Sequence, residues 1–295
     1  MAAPTHVEEW TGRDVTIAEI EERLSLLRQE SEEEDDAPNL RTSVMTHMAW
    51  VPKDWLEAAR KTLAGLAERH PSRTIILVPD PGAKRDAIDA EVSLGCFALG
   101  ERHVCTEVIE LRLRGDRAGA PASIVAPLLL SDLPAFIRWR GRPPFGAPEF
   151  EQLVDLVDRI VVDSVEWPDL PAPYAELAQL FERVAASDIA WARTLEWRRS
   201  LAELWPGIAD AREIRIAGPK ADALLLHGWL CSRLERELRL VHDDADVVEL
   251  VAVDRQAVTP PRIEQPSASD LLSAELDAFG RDPIYEEACA AAARR

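Results

Sequence analysis

No apolar run in this sequence approaches the roughly 20 residues a membrane-spanning helix needs; stretches such as Ala221–Trp229 fall far short. No membrane partner is expected. Cysteine is scarce: four in 295 residues are too few for a disulfide scaffold and suit a reducing compartment. The opening MAAPTHVEEW has neither the basic start nor the apolar core of a signal peptide, so a cytoplasmic protein is expected. Positive charge is in deficit, with 34 Lys and Arg against 53 Asp and Glu and a formal charge of −19. Sequence-independent binding of nucleic acid needs Lys and Arg to displace phosphate counterions, so nucleic acid is not an expected partner. No nucleophile, metal or nucleotide motif appears, and no cofactor is expected.

What is present is a globular composition, 47% apolar and 29% charged, long enough for one large or two ordinary domains. The acidity is uneven. Residues 1–40 carry 12 Asp and Glu against 3 Arg, leaving 41 acidic and 31 basic residues for the rest. Within that segment Ile17, Ile20, Leu24 and Leu27 have helical spacing, and Ser31–Asp36 is a self-repelling acidic run that reads as a linker. Residues 1–40 are therefore expected to be acidic and partly disordered with a short helix, 41–167 an N-terminal α/β domain, and 168–295 a C-terminal α/β domain with a helical tail.

The expected fold class is α/β, a mixed and largely parallel sheet with crossover helices. A strand or an extended segment is predicted near 41–52, and strands over Arg73–Val78, Glu91–Leu99, Val104–Arg114 and Arg159–Asp163; helices over Trp55–Arg69 and Glu149–Val157. In Val104–Arg114 the residues Glu107, Ile109, Leu111 and Leu113 face one way and Val108, Glu110, Arg112 and Arg114 the other, which suggests one solvated face. The strand and helix alternation from Val104 to Asp163 is that of a parallel sheet. The second half reads as helix over Tyr174–Ala185, a long Trp-rich helix over Asp188–Trp205 covered on both sides, a strand over Glu213–Ala217, and an apolar helix over Lys220–Leu234. A β-hairpin of Glu237–Val241 and Val247–Val253 and two tail helices, Ala268–Phe279 and Pro283–Arg294, complete it.

The stretch Ser123–Phe145 concentrates a short apolar helix, an Asp-Leu-Pro turn and a strand with Arg138, Arg140 and Arg142 on alternate positions. Inside a central strand such arginines need carboxylates such as Asp163; at its end they form a fork for phosphate or for a partner's carboxylates. Internal pairing is the better reading for Arg138. Arg140, Arg142 and Phe145 are the candidates for touching a partner. Lys220 at a helix start, with Arg142 and Asp163, is the alternative, an anion site; the competing reading of Gly218-Pro-Lys220 is an ordinary turn. Gly115-Asp-Arg-Ala-Gly119 follows a strand but matches neither phosphate-binding spacing, and a surface crossover loop is preferred. Asp163 and Glu166, with Asp132, can act as acid and base or simply cap and pair with arginines. Cys96, His103 and Cys105 lack a usual zinc spacing; buried structural cysteines are preferred, with a Cys96–Cys105 disulfide as the other possibility. Nine tryptophans are mostly core, and any left exposed would mark an interface.

Several segments resemble the glucose-6-phosphate dehydrogenase assembly protein family, OpcA, of actinobacteria and cyanobacteria. They are RTSVMTHMAWVP at 41–52, HPSRTIILVPDP at 70–81, VCTEVIELRLRG at 104–115, SIVAPLLLSDLPAFIRWRG at 123–141, DRIVVDSVEW at 158–167, SDIAWARTLEWRRSLAELW at 187–205 and AGPKADALLLHGWLCSRL at 217–234. The resemblance covers about residues 41–290, and residues 28–40 look like an insertion. It implies a cytoplasmic, non-catalytic protein that binds glucose-6-phosphate dehydrogenase, promotes its active form, and so supports NADPH production by the oxidative pentose phosphate pathway. It assigns no contact residue. The alternative is an enzyme or sensor for a phosphorylated sugar, built on Lys220, Arg142 and Asp163.

Overall fold

The computed structural model describes residues 6–34, 39–40, 43–66, 69–99, 102–259 and 266–295. The chain divides into two compact units, Met1–Ile160 and Val161–Arg295. The strand β8 (Arg159–Val162) straddles the division.

The first unit is built on a mixed sheet. Its strands are β1 (His6–Gly12), β2 (Asn39–Leu40), β3 (Met45–Trp50), β4 (Ser72–Asp80), β5 (Ala87–Leu99), β6 (Arg102–Arg114) and β7 (Ala135–Trp139). They lie in the order β1-β5-β6-β4-β3-β7, with β2 beside the start of β6. The β6-β4, β4-β3 and β3-β7 pairs are parallel, and β1-β5 and β5-β6 antiparallel. All six residues of β3 and the first seven of β4 are buried. Burial on both faces is why their apolar residues, such as Ile75 to Val78, run consecutively rather than in alternation, while the buried polar residues Thr46, His47, Arg73 and Thr74 sit among them.

In β6, Glu107, Ile109, Leu111 and Leu113 are buried while Val108, Glu110, Arg112 and Arg114 are half-buried. The second face is thus partly covered, by helix α2 (Leu56–Ala64), whose Arg60 makes a two-pronged ion pair with Glu110 at 2.8 and 2.9 Å. Ala49, Val51, Ala59, Ile76 and Val78 form a core cluster there, with Trp55, Leu56, Leu63 and Val108 packed against it. The expected alternation after β6 is present as α3 (Pro121–Val125), β7, α4 (Pro148–Val154) and β8. Strands β6 and β7 are not neighbours, however: β4 and β3 lie between them.

The N-terminal segment departs from expectation. Strand β1 pairs with β5 from His6 opposite Cys96 to Gly12 opposite Ala90. Helix α1 runs from Ile17 to Glu34, so the first four residues of the acidic run are helical rather than linker. Glutamate is a good helix former, and Ile20, Leu24 and Leu27, at 0, 2 and 3% exposure, continue as a stripe to Ser31, whose Oγ lies 3.5 Å from the Cys96 sulfur. Asp35, Asp36 and the first five residues lie outside the described residues.

The second unit contains α5 (Pro173–Ala178), β9 (Ala185–Asp188), α6 (Ile189–Arg193), α7 (Leu195–Ala202), β10 (Glu213–Gly218) and α8 (Lys220–Leu234). They are followed by β11 (Arg239–Asp244), β12 (Leu250–Val253), β13 (Gln256–Ala257), α9 (Ala268–Leu276) and α10 (Pro283–Ala293). The expected Tyr174–Ala185 helix is shorter, ending at Ala178, and turns lead from there to β9. The expected long Trp-rich helix is two helices broken at Thr194, whose hydroxyl donates to the Trp191 carbonyl at 2.8 Å. Only part of it is covered: Trp191 and Trp197 are buried, while Leu195, Leu204 and Trp205 are exposed.

The second sheet has the order β11-β10-β12-β13. A hairpin is present, but it joins β12 to β13 through Asp254 and Arg255, whose φ values of 46 and 72° are those of a primed two-residue turn. The expected pairing of β11 with β12 is replaced by β10 lying between them. Helix α8 is buried from Ala221 to Cys231. It meets α10 at Gly228, where any Cβ would stand 2.3 Å from the Ala288 carbonyl oxygen. The backbone approach therefore requires glycine.

Candidate functional site

In the first unit the end of β7 carries the arginines read from the sequence. Arg138 is buried, and its Nη1 donates to the Trp139 carbonyl. Arg140 sits over the Trp55 ring at 4.8 Å, and its N–H donates to the Trp50 carbonyl at 3.0 Å. Beyond it Arg142 is exposed and Phe145 half-buried. Behind them lies an aromatic series. Trp50 stacks on Trp139 at 4.8 Å, Phe150 meets Trp139 edge-on at 5.0 Å, and Phe145 meets Phe150 edge-on at 5.4 Å. Such pairs fix ring orientation beyond simple burial, so Phe145, in the loop after β7, is tied to the aromatic series behind it.

Deeper in this unit Glu107 on β6 is held by Arg28 of α1 at 2.7 Å and by Arg73 of β4 at 2.8 Å, and Arg73 also donates to the Leu128 carbonyl. Burial pushes the Glu107 carboxyl up, but the two guanidinium groups outweigh it and hold it below the usual value. His47 on β3 is kept neutral: burial first, then the charges of His70 and Arg138, lower it to about 3.

The second unit contains a polar cluster that sequence reasoning resolved only in part. Asp163, at the end of β8, pairs with Arg193 of α6 at 2.9 and 3.2 Å rather than with the arginines of β7. Arg193 also grips Asp222, in the first turn of α8, at 3.1 and 3.2 Å. Burial alone would lower the Arg193 pKa, yet the two carboxylates raise it beyond its ordinary value. Asp222 is pushed up to about 6, because burial outweighs its half-share of one guanidinium.

Asp188 caps α6, its Oδ1 accepting from the N–H groups of Ser164 at 3.0 Å and Ala190 at 2.8 Å. Its Oδ2 and the Tyr285 hydroxyl are buried without a hydrogen-bond partner among the described residues. Burial, then the charge of Asp163, raises Asp188 to about 7. Lys220, the other member of the anion-site alternative, donates to the Leu170 carbonyl at 2.6 Å. Arg142 belongs to the first unit. Asp163 and the start of α8 are thus brought together by Arg193, with the Lys220 ammonium already engaged.

Arg193, Asp188 and Asp222 had no motif to announce them; the one signal was that an Asp begins the helical pattern after Ser187. His227 and Cys231, one turn apart on α8, also went unread. His227 Nε2 donates to the Leu238 carbonyl at 2.9 Å and lies 3.3 Å from the Cys231 sulfur. With that proton on the carbonyl and the thiol pushed up by burial, the pair is not an activated nucleophile.

Of the proposed metal ligands, Cys96 and Cys105 are joined in a disulfide across the β5-β6 ladder, where they stand directly opposite. The preferred reading of Cys96 and Cys105 as free structural cysteines is thus replaced by the other possibility, their disulfide, while Cys231 and Cys289 are free and buried. The His103 side chain lies outside the described residues. Gly115–Gly119 is a single 3-10 turn whose Asp116 N–H is taken by the Asp86 carboxylate at 2.8 Å, as a crossover loop requires. Asp132 is exposed in a left-handed turn, φ 65°.

Comparison with known proteins agrees with the family suggested by the sequence. Residues 64–182 match the family model described as the glucose-6-phosphate dehydrogenase subunit N-terminal domain, and residues 184–289 the model of its C-terminal domain. A Nostoc punctiforme protein named as the OxPP cycle protein OpcA is 30% identical over 183 residues, covering 58% of this chain and 39% of the relative. One of the same name from Synechocystis is 29% identical over 185 residues, 58% of this chain and 38% of the relative. A Synechococcus elongatus counterpart is 28% identical over 182 residues. These relatives are cyanobacterial, and the chain spans about two-fifths of their length. With both domain models matched in order along the chain, this protein belongs to the OpcA family of glucose-6-phosphate dehydrogenase assembly proteins.

Proposed function

We propose that this protein is a non-catalytic partner of glucose-6-phosphate dehydrogenase that binds the enzyme, favours its active oligomer and thereby supports NADPH production in the oxidative pentose phosphate pathway of the cytoplasm. The observation that carries this reading is the match of both dehydrogenase-subunit domain models, over residues 64–182 and 184–289. Three polar side chains of the second unit are engaged within the fold. Arg193 holds Asp163 and Asp222, Lys220 holds a backbone carbonyl, and His227 does the same.

A protein of this kind acts by differential affinity. It shifts the enzyme toward its active form only by as much as it binds that form better. Arg140, Arg142 and Phe145 are the candidates for such a contact, since guanidinium and aromatic groups side by side at the end of β7 can meet a partner's carboxylates and apolar surface.

The test is to mix the protein with the dehydrogenase of the same organism at micromolar concentrations. A co-eluting complex with a raised kcat/KM or an altered oligomer is expected. The combined change Arg142→Glu and Phe145→Ala is expected to weaken binding by roughly tenfold, the scale of a lost interface anchor. If two folded partners neither co-elute nor change the kinetics, the reading is wrong.

A further inference from the structure

Of the nine tryptophans, eight are buried or half-buried and one, Trp205, is 66% exposed. It stands in a run of six consecutive exposed residues, Ala202 to Gly207, that includes Leu204 at 41%. This segment is not a frayed helix end. Leu201 before it and Ile208 after it are buried, at 0 and 5%. Its backbone is closed by hydrogen bonds from Trp205 N to Ala202 O at 3.1 Å, Ile208 N to Leu204 O at 3.2 Å and Ala209 N to Pro206 O at 3.0 Å. The apolar knob is therefore held out from the body of its unit on a structured turn, with its core attachments on either side.

A large apolar side chain presented this way loses little conformational freedom when it enters a socket. Tryptophan is among the residues that dominate interface energetics. The nearest cation in sequence, Arg199, is already paired with Glu196 at 2.5 Å. Glu203 is exposed beside the knob. At a formal charge of −19, two copies of this chain repel one another, which disfavours self-association through an acidic-flanked surface.

We infer that Trp205, seconded by Leu204, is the anchor by which the second unit docks into an apolar socket with a basic rim on the surface of glucose-6-phosphate dehydrogenase. The inference rests on the function proposed above and adds the surface and its chemistry. Glu203 faces the rim and steers the approach; Trp205 fills the socket and sets the lifetime of the complex.

The test compares the full-length chain with Trp205→Ala, Trp205→Phe and Glu203→Lys for binding to the dehydrogenase by surface plasmon resonance, with circular dichroism melts of each alone. Trp205→Ala is expected to weaken binding by roughly 10- to 100-fold, mostly through faster dissociation, while its melt matches the parent. Trp205→Phe should recover part of the loss. Glu203→Lys should slow association several-fold. If the parent binds and Trp205→Ala binds equally well, this inference is overturned while the proposed function stands. If the parent itself does not bind the dehydrogenase, both fall. Sedimentation of the parent alone serves as a further arm: a concentration-dependent dimer abolished by Trp205→Ala would assign the knob to a second copy and overturn the inference.

Discussion

Asp188 is a carboxyl in a place that does not favour its charge. Two backbone N–H groups reach one oxygen, the other oxygen is buried without a partner among the described residues, and Asp163 adds a like charge nearby. Its value in the folded protein, about 7, lies above the ordinary 3.8. A raised acid stabilises the fold relative to the ionised form below the unfolded value, and that advantage is lost as pH rises through the folded value. Between pH 5 and pH 8 this group is therefore expected to cost the parent on the order of 2 kcal/mol of stability. Asp188→Asn keeps an acceptor for the two N–H groups without the charge, and should show a flatter decline. Urea unfolding at the two pH values checks this; parallel losses in parent and variant would refute it. Arg193 shows the opposite case, a cation placed where two carboxylates need it, and removing one partner of such a buried set leaves the others uncompensated.

At the scale of elements, α1 is the clearest case of packing deciding what composition leaves open. Its mean character is strongly acidic, yet the stripe Ile20, Leu24 and Leu27 is buried and Arg28 reaches Glu107. Leu24→Ala is expected to cost about 2–5 kcal/mol, the range for emptying a buried leucine site. An unchanged denaturation midpoint would mean that α1 is not part of the folded first unit.

Strand β4 was legible from the consecutive apolar residues Ile75 to Val78 of a strand buried on both faces, and β6 because its faces differ. The start of α8 was legible because Pro219 precedes its first turn; its end, where Glu235 adopts a left-handed conformation at φ 51°, has no such residue signal. Strand β1 was not, since its partner β5 lies about 80 residues away and nothing in VEEWT announces it. Nor was the interposition of β10 between β11 and β12, which depends on spatial order rather than on local pattern. The Arg193 cluster was hidden for the same reason: Asp163 and Asp222 are 30 and 29 residues from it along the chain. The exposed Trp205 was predictable only as a category, and which of nine tryptophans would fill it required the fold.

For the molecule as a whole, charge is the governing quantity. A formal −19 makes the compact state repel itself more than the unfolded chain does, and salt screens that repulsion. The melting temperature is therefore expected to rise when NaCl is increased from about 0.02 M to about 0.5 M, over which the screening length shortens several-fold. A fall would show that the exposed ion pairs, such as Arg215 with Asp243 at 2.7 Å, outweigh the general repulsion.

Strand β1 has a further consequence in time. Strand β1 pairs with β5, whose residues 87–99 are translated about 80 residues later. At synthesis rates of roughly 5–20 residues per second, β1 waits on the order of 4–16 s with no edge to join. Glu8 and Glu9, which face Leu94 and Ser93 in the finished ladder, keep that waiting segment charged and so poorly suited to pairing with another nascent chain. The acidity of the N-terminal segment thus protects the unfinished protein before it contributes anything to the finished one.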